Sequence, residues 1–138
     1  MHSEVQQQLR GYANPRRAGE MQWFYKTEAG GYGEGDRFLG LTVPQSRSVA
    51  ANNYSLDRAS LDALFRSEFH EDRFCALVIL TKQFERAKKP EVREELFTYY
   101  LSLYEINAVN NWDLVDVSAN RFGKHWLADK DRVSKLLK

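Results

Sequence analysis

The sequence predicts an all-α protein, and three observations carry that expectation. Apolar residues recur at i, i+3, i+4 and i+7 in the strongest segment, where Phe74, Leu77, Val78, Thr81 and Phe84 fall on one face. Helix-start signals punctuate the chain at Ser3, Pro44, Asp57, Pro90, Asn110-Asn111 and Asp129. No stretch alternates apolar and polar residues between turns. Phe38-Leu39-Gly40-Leu41-Thr42-Val43 is the one strand candidate, and it has no partner strand.

Each helix has its own local reason. Ser3 and Gln6 have capping-box spacing, which opens a short helix running to about Ala13 and ended by Asn14-Pro15. A second helix from about Ala18 to Glu28 gathers Met21, Phe24 and Tyr25, with Trp23 beside them, until the glycines from Gly30 to Gly35 break it. Pro44 suits the first turn of a third helix ending near Asn52, because its missing N–H is not needed there. Asp57 precedes a fourth whose stripe is Leu61, Leu64 and Phe65. Residues 70–88 form the fifth, and Cys75, Ile79 and Leu80 make it apolar on more than one face, as a central buried helix requires. Pro90 opens the sixth, with Val92, Leu96, Tyr99, Tyr100 and Leu103 on a broad stripe. Asn110-Asn111 caps a seventh from Trp112 to about Leu127, and Asp129 caps an eighth that holds Val133, Leu136 and Leu137.

Paired helices joined by short turns stack into solenoids, and the strong helices beginning near 70 and 112 are about 42 residues apart, within the ~40–47-residue period of HEAT-like repeats. The expected architecture is therefore a single domain over 1–138, a HEAT-like antiparallel helical-repeat solenoid of about eight helices. The last helix ends the chain on apolar residues, so the solenoid reads as incomplete at its C-terminal end, with self-association through that helix as one way to cover it.

Composition narrows the class. A chain of 138 residues with 43% hydrophobic and 13% aromatic side chains can bury a core. The longest apolar run, Phe74 to Leu80, is far short of the ~18 residues that would span a membrane. The polar start of the chain does not resemble a secretory leader, and a single cysteine excludes an internal disulfide framework. A soluble, cytoplasmic protein is expected. Against 19 acidic residues stand 20 basic ones, but the balance is uneven: residues 119–138 hold Arg121, Lys124, Lys130, Arg132, Lys135 and Lys138 against Asp129 and Asp131. That basic end fits either a phosphate footprint or a solvated helix face.

Most chemistry-bearing residues have a structural explanation. His2, His70 and His125 are far apart and none has a partner at i+4, so no metal is expected. Cys75 lies in the most apolar helix and reads as a core thiol. Gly33-Glu34-Gly35-Asp36-Arg37-Phe38 lacks a third glycine and a preceding strand, both of which a nucleotide cradle requires, and no cofactor is expected. The informative constellation is Asn110-Asn111-Trp112-Asp113-Leu114-Val115-Asp116. At ~100° per residue Asp116 falls about 40° from Trp112, while Val115, Ser118, Phe122 and Trp126 form a core stripe on another face. Trp112 and Asp116 thus share a face beside the core, followed by the small residues Ala119 and Gly123. Asp113, in the first turn, is explained by the helix macrodipole; Asp116 lies beyond that help.

That constellation, with Ser118-Ala119 after it, resembles the signature of AlkD-like DNA alkylation repair glycosylases. The run from Tyr32 to Pro44 resembles the family's first interhelical loop and following helix start, and His70-Glu71-Asp72-Arg73-Phe74 matches in position and character. The similarity covers roughly 20–138 and the N-terminal part of the family fold. It implies a HEAT-like solenoid whose concave face holds duplex DNA, and hydrolysis of the N-glycosidic bond of cationic purines such as N3-methyladenine and N7-methylguanine. It further implies that Asp116 stabilises the sugar cation, that Trp112 packs on the sugar and lesion, and that no deep base pocket is needed. Family members continue through further repeats, which supply a second tryptophan and an arginine. Lys124, Lys130, Arg132 and Lys135 are the candidate DNA contacts at the basic end. The alternative reading is a non-catalytic helical-repeat module that binds DNA or a protein.

Overall fold

The computed structural model describes residues 3–24, 37–106, 108, 109, 114 and 122. Among them the protein is all-helical: α1 Glu4–Arg10, α2 Pro15–Phe24, α3 Val43–Ala51, α4 Arg58–Phe65, α5 His70–Arg86 and α6 Pro90–Glu105. Leu114 and Phe122 are also helical, while the rest of the expected seventh helix and all of the eighth lie outside the described residues.

The helix starts follow the cap chemistry. Ser3 and Gln6 form the reciprocal capping box of α1, and Thr42 and Gln45 form a second one that opens α3 one residue ahead of Pro44. α1 stops at Arg10, before Ala13: Gly11 is its C-cap, and the next N–H groups, of Tyr12 and Ala13, turn to the carbonyls of Leu9 and Arg10 three residues back rather than four. α2 starts at Pro15, earlier than the expected Ala18. Proline fits a first helical position, and Asn14 caps the turn by accepting the Arg17 N–H on Oδ1 at 3.1 Å. The strand candidate 38–43 is not a strand: Arg37 and Phe69 form a single isolated bridge, and Val43 already belongs to α3. Among the described residues no strand lies beside Phe38–Leu41, which is buried, and its backbone is held by a side chain described below.

α5 is the axis of the molecule. Every residue from His70 to Thr81 is buried, as is Phe84, and the helix packs against α1, α3, α4 and α6. Such all-round burial explains why its sequence is apolar on more than one face. Leu61, Leu64 and Phe65 of α4 meet it, as their spacing predicts. α6 contributes Leu96, Phe97, Tyr100 and Leu103, whereas Val92, expected on the same stripe, is exposed because the first turn of α6 projects past the core. Phe122 is buried on the expected core stripe, stacked on Tyr100 at a centroid distance of 4.0 Å and 4.4 Å from Phe84. Side chains also close backbone ends. Gln83 Nε2 donates to the Tyr54 and Leu56 carbonyls, and Arg93 Nη1 donates to those of Phe84 and Ala87 at the end of α5.

Leu77 is fully buried at the centre of this packing. Leu77→Ala is expected to lower the unfolding free energy by about 2–5 kcal/mol in urea titration. Val92→Ala, at an exposed site, is expected to change it by less than about 1 kcal/mol. Equal effects would contradict the placement of α5 at the centre.

Candidate functional site

The first turn of α5 carries four consecutive ionisable residues, His70, Glu71, Asp72 and Arg73, and all four are buried. Acidic residues in the first turn complement the helix dipole, but burial demands direct partners as well. Glu71 finds them in the backbone of the segment before α3. Its Oε1 accepts the Leu39 N–H at 2.9 Å, and its Oε2 accepts those of Gly40 at 2.9 Å and Leu41 at 3.2 Å. One carboxylate thereby does for this segment what a strand partner would, and no such partner is found among the described residues.

Gly40 is needed for the same arrangement. Its φ is 90°, and a Cβ there would lie 2.0 Å from the Asn14 carbonyl oxygen and 2.8 Å from the Ala18 nitrogen. Asn14 N–H in turn donates to the Leu39 carbonyl at 2.8 Å. The start of α2, the 39–41 segment and the start of α5 therefore meet at one point.

Asp72, with no exposed surface, gathers a different set. Ser67 Oγ donates to it at 2.6 Å, Gln6 Nε2 at 3.3 Å, and Arg10 reaches both carboxylate oxygens at 3.3 and 3.4 Å. Arg10 and Arg37 also flank the Phe69 ring at 5.1 and 5.5 Å, and Arg37 pairs with Glu68 at 3.0 Å. His70 packs its ring 5.0 Å from Phe38 and donates its backbone N–H to the Arg37 carbonyl. Arg73 Nη1 donates to the Ser67 carbonyl at 2.8 Å.

Other candidates resolve into structure. Burial pushes the Cys75 thiol up to about 12, so it stays protonated and inert at neutral pH, as a core thiol should. Among the described residues no three His, Cys, Asp or Glu side chains could share a metal ion, and His2 and His125 lie outside them. No helix among the described residues is long and apolar enough to cross a membrane. Asp116, Trp112, Lys124, Lys130, Arg132 and Lys135, together with the glycine-rich loop before Arg37, lie outside the described residues as well. What the structure does join are two of the three sequence segments singled out above: His70–Phe74 holds the end of Tyr32–Pro44 through Glu71.

A family model described as DNA alkylation repair enzyme matches residues 5–138. The chain belongs to that family. No curated protein and no solved structure matches it. Membership makes it an enzyme of DNA alkylation repair with DNA as its substrate, and the matched span includes every segment on which the resemblance to AlkD-like proteins rests.

Sequence reasoning did not assign roles to Glu71, Asp72 and Arg10. Two adjacent carboxylates opening the most apolar helix were the available signal, since such a helix start becomes buried and its acids must then be bonded. Glu71→Gln would turn an amide donor toward backbone N–H groups and remove the charge that strengthens their bonds. It is expected to destabilise the protein by about 2–4 kcal/mol in urea titration. It should also speed hydrogen exchange at Leu39, Gly40 and Leu41 more than at α6. A loss below about 0.5 kcal/mol would show that the carboxylate does not organise this segment.

Proposed function

We propose that the protein is a DNA glycosylase that hydrolyses the N-glycosidic bond of cationic alkylated purines, N3-methyladenine and N7-methylguanine, in duplex DNA. The observation that carries this reading is the family match over residues 5–138, within which Asn110–Asp116 retains the pairing of Trp112 with Asp116 four residues later. In this reading the six described helices belong to a single HEAT-like solenoid domain of about eight helices over 1–138, with the duplex in its concave face.

The chemistry asks little of the protein's acids. Alkylation leaves a positively charged purine, which departs as a neutral base without prior protonation. As the glycosidic bond breaks, positive charge grows on the deoxyribose. A carboxylate fixed beside that sugar stabilises it more in the transition state than in the ground state, which is the condition for raising the rate. Asp116 takes this part and orients the attacking water. Trp112 lays its electron-rich face on the sugar and the cationic base, an interaction of about 0.5–2 kcal/mol. Because the demand is for charge stabilisation along the backbone, the lesion stays stacked and no deep base pocket is required.

Asp116→Asn is expected to leave the fold and duplex binding intact while slowing single-turnover release of N7-methylguanine by about 100-fold or more. Trp112→Ala should slow it less, since it removes packing rather than charge. Unmutated rates for Asp116→Asn would overturn the role given to that carboxylate.

Lys124, Lys130, Arg132 and Lys135 are assigned to phosphate contacts. Duplex binding should therefore weaken steeply with salt, and each of these residues that touches a phosphate should lower the slope of log K against log salt by about one when changed to alanine. A slope unchanged when all four are alanine would remove the basic end from the interface. No duplex affinity at low salt would instead favour a protein-binding scaffold.

A further inference from the structure

The α3–α4 turn meets the last turns of α5 at a groove of about 640 Å3, lined by Asn52, Tyr54, Ser55, Asp57 and Arg86 among others. All of these but Tyr54 are exposed, so the groove is open and polar. It suits a charged chain passing over it better than a small apolar molecule enclosed in it.

Backbone acceptors around the groove are already taken. Gln83 Nε2 donates to the Tyr54 and Leu56 carbonyls, each at 2.9 Å, and Arg93 Nη1 occupies those of Phe84 and Ala87. The donors are not taken. Among the described residues the Asn52 and Ser55 side chains form no hydrogen bond, and the Arg86 guanidinium forms neither a hydrogen bond nor an ion pair. Arg86 is held instead through an aromatic face. Its Cζ lies 4.9 Å from the centroid of the Tyr54 ring, and the Lys82 ammonium lies 5.8 Å from the same ring. A guanidinium braced on a ring keeps its N–H edge for a bidentate oxygen acceptor. From Lys82 to Lys89 four basic side chains stand against Glu85, which pairs with Lys82 at 3.4 Å. Asp57 is the one negative group lining the groove, and its side chain forms no cap bond to α4. The balance over the groove is positive, and it favours an anion.

We propose that this groove is a phosphate-contact site for DNA: Arg86, braced on Tyr54, pairs with a backbone phosphate, and Asn52 and Ser55 supply further donors. DNA is the substrate of the family, and its backbone is the polyanion that an open groove can take in passing. The site is distinct from Lys124, Lys130, Arg132 and Lys135. It rests on the DNA-binding part of the functional reading and not on base release.

The test is binding of the full chain to a short unmodified duplex, titrated over a range of salt. Arg86→Gln should weaken Kd about tenfold at low salt and lower the slope of log K against log salt by about one. Arg86→Lys should restore the slope but only part of the affinity, because an ammonium cannot make the fork. Asp57→Asn should tighten binding at least about twofold, since it removes the charge that opposes the phosphate. An unchanged slope and Kd in Arg86→Gln, or no duplex affinity in the unmutated protein, would overturn the proposal. Should Arg86→Gln not fold, Asp57→Asn decides alone, and unchanged or weaker binding would overturn it. Arg86-dependent binding of inorganic phosphate with unaltered duplex binding would make the groove a small-anion site and also overturn it. The slope change in a protein that releases no base would leave the site standing and remove the glycosylase reading. Base release that depends on Asp116, with no slope change in Arg86→Gln, would do the reverse.

Discussion

A buried carboxylate with three backbone amides around it is the constraint on which this structure turns. The segment from Leu39 to Leu41 is buried, yet among the described residues no strand lies beside it to take its N–H groups. Buried amides without acceptors are strongly disfavoured, and Glu71 supplies the acceptors from the start of α5. The bond set works in both directions, since the same amides solvate a carboxylate that burial would otherwise penalise. Gly40 is the backbone's share of the arrangement: only a residue without a Cβ can pass this close to Asn14 with φ at 90°.

From that point the fold follows outward. α5 is apolar enough to be surrounded, so its charged first turn is drawn into the interior with it. Each charge there recruits a different element: Glu71 the segment before α3, Asp72 the residues Gln6 and Arg10 of α1, and Arg73 the turn at Ser67. Polar bonding at one end and apolar packing along the rest divide the work. The first sets where neighbouring segments lie, and the second supplies most of the stabilisation.

How much of this was legible depends on the kind of interaction. Helices governed by local rules were readable, as with the Ser3 capping box, the Leu61–Leu64–Phe65 stripe and the continuous apolar run of α5. Boundaries slipped where two local signals compete, as at Asn14-Pro15, which ends one helix but also caps and opens the next. Phe38–Val43 looked like a strand because its residues favour extended backbone, and what it pairs with is a side chain 30 residues away, which no periodicity reveals. The same holds for Arg10 with Asp72, brought together across 62 residues by the packing of α1 on α5. Trp112 and Asp116 were visible only as a sequence motif, and the reaction given to them is the one proposed from that resemblance.

Membership of the DNA alkylation repair family and a sequence motif that spaces an aromatic residue four positions before a carboxylate support the proposed chemical account: a cationic base leaves, and a fixed carboxylate steadies the sugar. The most direct test is mass spectrometry of the products formed from duplex DNA carrying a single N7-methylguanine. The account predicts free N7-methylguanine and a strand with an abasic site at that position. An intact strand carrying unmethylated guanine, or substrate left unchanged by excess protein, would contradict it.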